Sequence, residues 1–268
     1  MLMLDVEFSQ LSDPGRVRPR NEDYVGYALP HSPAEARSHG WLFALADGVG
    51  GQRQGEVASR AAIEEVIGGF RRAAAMASHR ELVMNLVQSA NARVWETGLL
   101  SGPAESGMAS TIVVCALRFD CATVAHVGDS RCYLIRKGDV RPITRDHTVA
   151  SEQERLGILS AQEAADVTTR HVLSRSLGSR RFVEVEIKQI PLLSGDMLLL
   201  CSDGLHGAVS AAEIAHTVSH SHDLNAVARD LVTSANQQDG SDNISLQVIR
   251  IRSVERMGMY RGRPYKLR

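Results

Sequence analysis

The stretch Trp41-Leu-Phe-Ala-Leu-Ala-Asp-Gly-Val-Gly-Gly51 constrains the fold more than any other part of the chain. Six apolar residues run together without a polar break, which reads as a buried strand. The run stops at a single carboxylate, Asp47, and the backbone then passes through Gly48, Gly50 and Gly51. Such a strand delivers one acidic side chain to a sheet edge, where the glycines leave room around it. On its own the stretch reads as an ordinary strand followed by a tight turn. What favours chemistry is recurrence.

Three further aspartates share that context. Asp129 follows Val127-Gly128 and precedes Ser130. Asp203 ends the most apolar run, Asp196-Met-Leu-Leu-Leu-Cys-Ser-Asp203, just before Gly204. Asp242 opens the last strand beside Asn243, and Glu22-Asp23 precedes another strand in the same manner. An Asp beside Gly is by default a turn residue, but independent strands that each place an acid at one end are harder to dismiss. Close carboxylates repel, so acids that converge in space need cations between them. Oxygen ligands without Cys or His suit Mg2+ or Mn2+. Two such ions about 3.5–4 Å apart make a water nucleophilic and clamp a phosphoryl group for in-line attack. Arg18 adds a guanidinium that can grip phosphate oxygens in bidentate fashion. Its neighbours Arg16 and Arg20 read as surface residues.

Bulk properties narrow the class. At 268 residues, 44% apolar and 23% charged, the chain can bury a sizeable core as a globular protein. A formal charge of -1 offers no general attraction to nucleic acid or membrane. From Arg250 onward, however, seven Lys/Arg stand against one acid, which leaves 23 basic against 30 acidic residues elsewhere. Cys115, Cys121, Cys132 and Cys201 have no zinc spacing and lie mostly in apolar runs, so buried thiols in a reducing, cytoplasmic setting are expected. No stretch approaches the roughly 18 apolar residues of a membrane span. Gly48-x-Gly50 meets Arg53 where a dinucleotide loop has its third glycine, and no Gly-Lys-Ser/Thr marks a P-loop.

Strands are expected at Leu4 to Leu11, Tyr24 to Leu29 and Trp41 to Ala46, with a loop over Pro30 to Gly40. Two helices follow, with stripes at Ala58, Ala62, Val66, Ile67 and Phe70 and at Leu82, Val83, Leu86, Val87, Ala90 and Val94. Ser101 to Gly107 reads as a linker. Ser110 to Arg118, Thr123 to Val127 and Arg131 to Arg136 are spaced as an antiparallel meander. Arg145 to Arg170 is polar and helix-prone with a thin core, a candidate flap. Phe182 to Ile190 alternates as a strand, and Asp196 to Asp203 is apolar enough to be central. Two more helices precede a closing strand over Asp242 to Ile251, in which Ile244, Leu246 and Val248 face inward. This order of elements points to an α+β sandwich.

The ordered set Arg18-Pro-Arg-Asn-Glu-Asp23, Ala46-Asp-Gly-Val-Gly-Gly51, Ser110-Thr111, Val127-Gly-Asp-Ser-Arg131, Asp146-His147, Leu173-Ser-Arg-Ser-Leu-Gly178, Cys201-Ser-Asp-Gly-Leu205 and Asp242-Asn243 resembles the metal-dependent Ser/Thr protein phosphatases of the phosphatase 2C type, in their compact bacterial form. The resemblance spans roughly Phe8 to Ile251. It implies a four-layer α-β-β-α sandwich with two central antiparallel sheets. It also implies a catalytic domain over 1–252 with a flap at about 145–170, and a flexible basic tail over 253–268. Asp47 would bridge a Mg2+/Mn2+ pair, with the Gly48 carbonyl on one ion and Glu22, Asp203 and Asp242 on the other. Asp129, with Asp203, resembles the ligand set of a third, weaker ion in bacterial relatives, and Arg18 matches the phosphate-binding arginine. Many eukaryotic relatives carry a general-acid histidine two residues after the bridging aspartate, where this chain has Val49. Candidates for the proton donor are then a water on the metal, followed by His147 or His206.

The implied activity is hydrolysis of phosphoserine and phosphothreonine in proteins by a monomeric cytoplasmic enzyme, opposing a bacterial Ser/Thr kinase. A non-catalytic phosphoprotein-binding pseudophosphatase is the alternative, disfavoured because Asp47, Asp203 and Asp242 are all present.

Overall fold

Apolar runs rich in Val, Ile, Leu and Phe become strands that sort into two antiparallel sheets. The structure, a computed structural model, describes residues 4–49, 54–74, 78–100, 108–254, 257–260 and 263–266, the last two segments as backbone alone. One sheet holds β1 (Leu4–Asp13), β7 (Arg131–Arg136), β8 (Asp139–Pro142), β10 (Met197–Cys201) and β11 (Ile244–Val254), in the order β1-β11-β10-β7-β8. The other holds β2 (Asp23–Ala28), β3 (Trp41–Val49), β5 (Ile112–Arg118), β6 (Cys121–Val127) and β9 (Glu186–Pro191), in the order β2-β3-β5-β6-β9. A two-residue strand, β4 (Ala109–Ser110), pairs with the end of β3. The apolar β10 is central in its sheet, as expected.

Helices cover both outer faces. The stripe of α2 (Gln54–Arg72) and that of α3 (His79–Leu100) pack on Leu42, Ala44 and Ala46 of β3 and on Ile112, Val114 and Ala116 of β5. Between the sheets, Phe43, Leu45, Val113 and Cys115 meet Cys132, Leu134, Leu198, Leu200 and Ile249. On the far side, α7 (Ala211–His220) and α8 (Leu224–Gln238) cover Leu199, Cys201, Leu246 and Val248. Alternate residues of one strand therefore belong to different cores, and the layers run α-β-β-α. The stripe expected for each of the first two helices is the buried face. Ile244, Leu246 and Val248 all face the helical core, while Ile249 and Ile251 face the other sheet. No described helix is long and apolar enough to cross a membrane.

Several expectations need correction. Pro30 to Gly40 is not all loop. Pro33 to Ser38 form α1, because the Ser32 hydroxyl accepts the Glu35 N–H at 3.1 Å and Pro33 starts the turn. The meander is broken as well. β5 and β6 form a hairpin in one sheet, but β7 lies in the other, paired with β10 and β8. Gly128, with φ of +101°, lets the chain cross between sheets within three residues. The strand expected from Phe182 begins only at Glu186, and Phe182 itself is 76% exposed. β11 runs two residues past the expected domain end at 252, to Val254. Within the expected flexible tail, β12 (Met257–Tyr260) and β13 (Arg263–Lys266) pair as an antiparallel ribbon. Gly50, Gly51, Arg53 and the Ser101 to Gly107 linker lie outside the described residues.

The expected flap contains α4 (Val149–Arg155) and α5 (Ala161–Asp166), both N-capped, by Thr148 and Ser160. Their buried residues are Ala150 and Ala164 alone, so the core there is thin. The flap closes on itself through a bridge between Thr148 and Leu173.

Candidate active site

Antiparallel pairing brings opposite ends of neighbouring strands together, and this decides where the acids meet. At the C-terminal end of β3, Asp47 pairs with Asp23 at the start of β2. At the C-terminal end of β10, Cys201 pairs with Leu246, which places Ser202-Asp203 beside the Asp242-Asn243 entry to β11. The crossing from β6 to β7 carries Asp129 over the same end of the sandwich. Asp203 opens a further one-turn helix, α6 (Asp203–His206).

Backbone and hydroxyl contacts fix each acid. The Asp47 N–H donates to the Thr111 hydroxyl at 3.0 Å, and the Asp47 carbonyl accepts from the Thr111 N–H and the Ser110 hydroxyl, both at 2.8 Å. Thr111 in turn meets the Ser130 hydroxyl at 2.7 Å, next to Asp129. The Gly48 N–H donates to the Glu22 carbonyl at 3.1 Å. Asn243 holds the segment before β2, accepting the Glu22 N–H at 2.8 Å and donating to the Pro14 and Arg20 carbonyls at 2.9 Å each. From that segment Arg18 reaches Asp242 at 2.7 Å, with both side chains partly open to solvent.

The electrostatics are those of crowded carboxylates. Burial, then neighbouring Asp23, Asp203, Asp129 and Asp242, push Asp47 well above the usual carboxylate range. Burial and the Asp203 charge push Asp129 up to about 8. Burial pushes Asp23 up to about 7, against hydrogen bonds from Ser245 and Ser202. Asp203 is raised mainly by burial and by the neighbouring Asp242 charge. Such a set must be neutralised either by protons or by cations.

Divalent cations fit these residues. The donors are all oxygen, and buried Asp23 Oδ1 has no hydrogen-bond partner. The acid oxygens do not close on one point: among the described residues, the set of three ligand atoms lying within 4.8 Å of one another is His126, His147 and Glu186, not the acids. That histidine cluster is poorly disposed toward a metal. His147 Nδ1 accepts from the Gly128 N–H at 3.2 Å, which leaves its proton on Nε2, 3.5 Å from Glu186. His126 donates from Nε2 to the Arg145 carbonyl at 2.7 Å, and the two rings stack at 4.4 Å. His216 and His220 stand one turn apart on α7, but no third ligand joins them among the described residues.

The sequence-derived site residues Arg18, Glu22, Asp47, Gly48, Asp129, Asp203 and Asp242 all stand at this one end of the sandwich. The two histidines considered as proton donors behave differently. His206 spends its Nε2–H on the Asp129 carbonyl at 3.0 Å, and His147 is tied to Gly128 and Glu186. Burial depresses both to about 4, so both rings are neutral near pH 7. Asp23, Thr111, Asn243 and Gly55 are additional residues that shape the site. A Cβ on Gly55 would stand 2.8 Å from the Gly48 carbonyl oxygen and 2.9 Å from the Glu22 carboxyl carbon. The signal for Asp23 and Thr111 was their place in the quoted motifs. For Gly55 the sequence holds none, because its neighbours are distant along the chain.

Comparisons with known proteins agree with this fold. A family model described as Protein phosphatase 2C matches residues 15–244. The chain is 32% identical to the serine/threonine phosphatase stp of Listeria innocua over 258 residues, covering 94% of this chain and 96% of that one. It is 31% identical to the protein phosphatase PhpP of Streptococcus pneumoniae, covering 91% and 97%. Among solved structures, the S. agalactiae serine/threonine phosphatase superposes with a TM-score of 0.84 at 29% identity, covering 92% of this chain and all of that one. The catalytic domain of the phosphatase PstP, solved with two manganese ions, gives 0.79 at 28% identity, covering 92% and 98%.

Proposed function

The chain belongs to the protein phosphatase 2C family and is a Ser/Thr protein phosphatase, and from that premise we propose that it hydrolyses phosphoserine and phosphothreonine by water attack at a divalent-cation centre built on Asp47. The observation that carries this is the convergence of acids from both sheets on one end of the sandwich, with Arg18 at the rim. Asp47 would bridge two ions, with the Gly48 carbonyl beside it, and Glu22, Asp203 and Asp242 would complete the set. Asp129 and Asp203 would offer a third, weaker position. Bound there, Mg2+ or Mn2+ would lower the pKa of water and polarise phosphoryl oxygens.

The protein's own groups then have distinct tasks. Thr111 and Ser110 fix the Asp47 backbone, so its carboxylate is aimed before substrate arrives. Arg18, held at Asp242 through one nitrogen, keeps further N–H groups for two phosphate oxygens. Neither His147 nor His206 presents a free N–H to the acids. Solvent at the rim, where Arg18 and Asp242 remain partly exposed, is therefore left to protonate the departing serine or threonine oxygen. Phosphoproteins would be the substrates, a Ser/Thr kinase and its targets among them, with the chain acting as a monomer in signalling. Four free cysteines favour a reducing, cytoplasmic setting. A non-catalytic phosphoprotein-binding role is not favoured, since no acid of the set is missing.

The test is phosphate release from a phosphothreonine peptide, with and without Mn2+. Activity should require the ion, vanish with chelator and fall almost completely in Asp47→Asn and Asp203→Asn. Full activity in EDTA would sink the mechanism.

A further inference from the structure

Helix α7 ends in His216-Thr-Val-Ser-His220, which sets two imidazoles four residues apart. In a helix that spacing puts both side chains on one face, about 5–6 Å apart at Cβ. The rings lie together, with centroids 3.9 Å apart and planes inclined by 34°. Both residues are exposed, and neither has a part in the acid cluster. We propose that His216 and His220 form a separate metal site, built from nitrogen donors, that takes a borderline divalent ion such as Cu2+ or Zn2+ and leaves its other positions to water.

The hydrogen bonds decide which nitrogens are free. His220 Nδ1 lies 2.7 Å from the His216 carbonyl oxygen. A carbonyl only accepts, so Nδ1 carries the proton, and in the neutral ring Nε2 keeps its lone pair. Metal-bound histidines are commonly held in this way, with the second nitrogen donating to a backbone carbonyl. Among the described residues no hydrogen bond engages the His216 ring, so either of its nitrogens can turn toward an ion. The platform beneath is firm. Ile214 and Val218 anchor the opposite face of α7 in the helical core, and a capping box between Ser210 and Glu213 fixes its first turn. The carboxylates closest along the chain are engaged elsewhere. Glu213 accepts from the Ser210 hydroxyl at 2.7 Å and from Gln238 at 2.8 Å, and Asp223 caps α8 by accepting the Asn225 N–H at 2.9 Å. The donor set is therefore imidazole and water. Imidazole suits Cu2+, Zn2+ and Ni2+, with Cu2+ the tightest in the usual order, whereas Mg2+ and Mn2+ prefer oxygen. The chain thereby sorts ions by ligand chemistry, hard ions to the acids and borderline ions to α7.

The experiment titrates the whole chain with Cu2+ in saturating Mg2+, which occupies the acids, and follows binding by calorimetry and electron paramagnetic resonance. The spectrum of the bound Cu2+ should carry the splitting of two nitrogen ligands. His216→Ala and His220→Ala each remove one donor, at exposed positions where folding is not at stake. Each should weaken binding by roughly a hundredfold, because a lone imidazole has no second donor tethered beside it. His222→Ala, two residues further on, should bind as the wild type does. Mn2+-dependent phosphatase activity, measured without Cu2+, should be the same in all four proteins. Bound Cu2+ without nitrogen splitting in the wild type, or splitting and affinity that survive either His216→Ala or His220→Ala, would overturn the site. An equal loss of binding in His222→Ala would refute the two-residue ligand set, and a loss of Mn2+-dependent activity in His216→Ala or His220→Ala would refute its separation from the acids.

Discussion

Asp23 and Asp47 oppose one another across β2 and β3, and among the described residues neither has a basic side chain bonded to it. Acids at strand ends are legible from sequence. The register that sets two of them face to face is not, because it is fixed by pairing between distant segments. This crowding has a consequence for pH. Asp129 and Asp23 stand at about 8 and about 7 in the metal-free fold, far above an unfolded value of about 3.9. The folded state thus holds the extra protons, and the stability they bring declines as pH rises from about 4 and is gone once pH passes 7 to 8. His79, His147 and His206 act in the opposite sense. Burial holds each at about 4 against an unfolded value of about 6.5, so the unfolded chain binds more protons and stability falls as pH drops below 6.5. In EDTA the thermal midpoint should therefore fall as pH rises from 6.5 to 8, where the acids' loss is no longer offset by the histidines. Saturating Mn2+, which requires ionised acids, should flatten the alkaline arm and leave the acidic arm in place. An alkaline arm unchanged by Mn2+, in melts recorded from pH 5 to 9, would show that the acids do not share a cation.

Among the elements, strands with unbroken apolar runs and helices with a clear stripe were readable. β3, β10, α2 and α3 stand where periodicity put them. The failures came where one residue redirected the chain. β6 and β7 have the length and spacing of a hairpin, yet Gly128 sends them into separate sheets, and a Cβ there would meet Thr111 at 2.7 Å. Gly48 plays a related part at the end of β3. It does not need a left-handed backbone. It needs room, since a Cβ would lie 2.1 Å from the Gly55 carbonyl oxygen at the start of α2. The first turn of α2 thereby rests directly on the strand that carries Asp47, and the Ser59 hydroxyl bonds the Glu22 carbonyl at 2.6 Å from the same helix. Gly48→Ala must push helix and strand apart. The cost should be about 1–3 kcal/mol, as for other overpacked sites, with weaker Mn2+ binding because Asp47 and Glu22 separate. Urea midpoints and calorimetric Mn2+ titration check both. A variant with wild-type values in each would mean that the contact is not a constraint.

For the molecule as a whole, the site is only as well formed as the alignment of its two sheets. Glu22, Asp47 and Gly48 belong to one sheet and its approach, Asp203 and Asp242 to the other, and Asp129 to the crossing between them. The absence of alternation in Asp196 to Asp203 already signalled a strand covered on both sides, which a four-layer stack requires. Which face met which layer was not legible. It emerges only when Leu198 and Leu200 turn toward the opposite sheet while Leu199 and Cys201 turn toward helices. Leu200→Ala removes packing from between the sheets without touching an acid, and should cost about 2–5 kcal/mol. Cations that bind the native end of the sandwich oppose that loss by mass action, by about 2.7 kcal/mol at a hundredfold excess over Kd. Saturating Mn2+ should therefore restore much of the denaturant midpoint of Leu200→Ala, and unfolding should remain one transition, because ions held from both sheets couple them. Two separated transitions in the presence of Mn2+, or a midpoint that Mn2+ does not move, would show that the cations are held by one sheet alone or not at all.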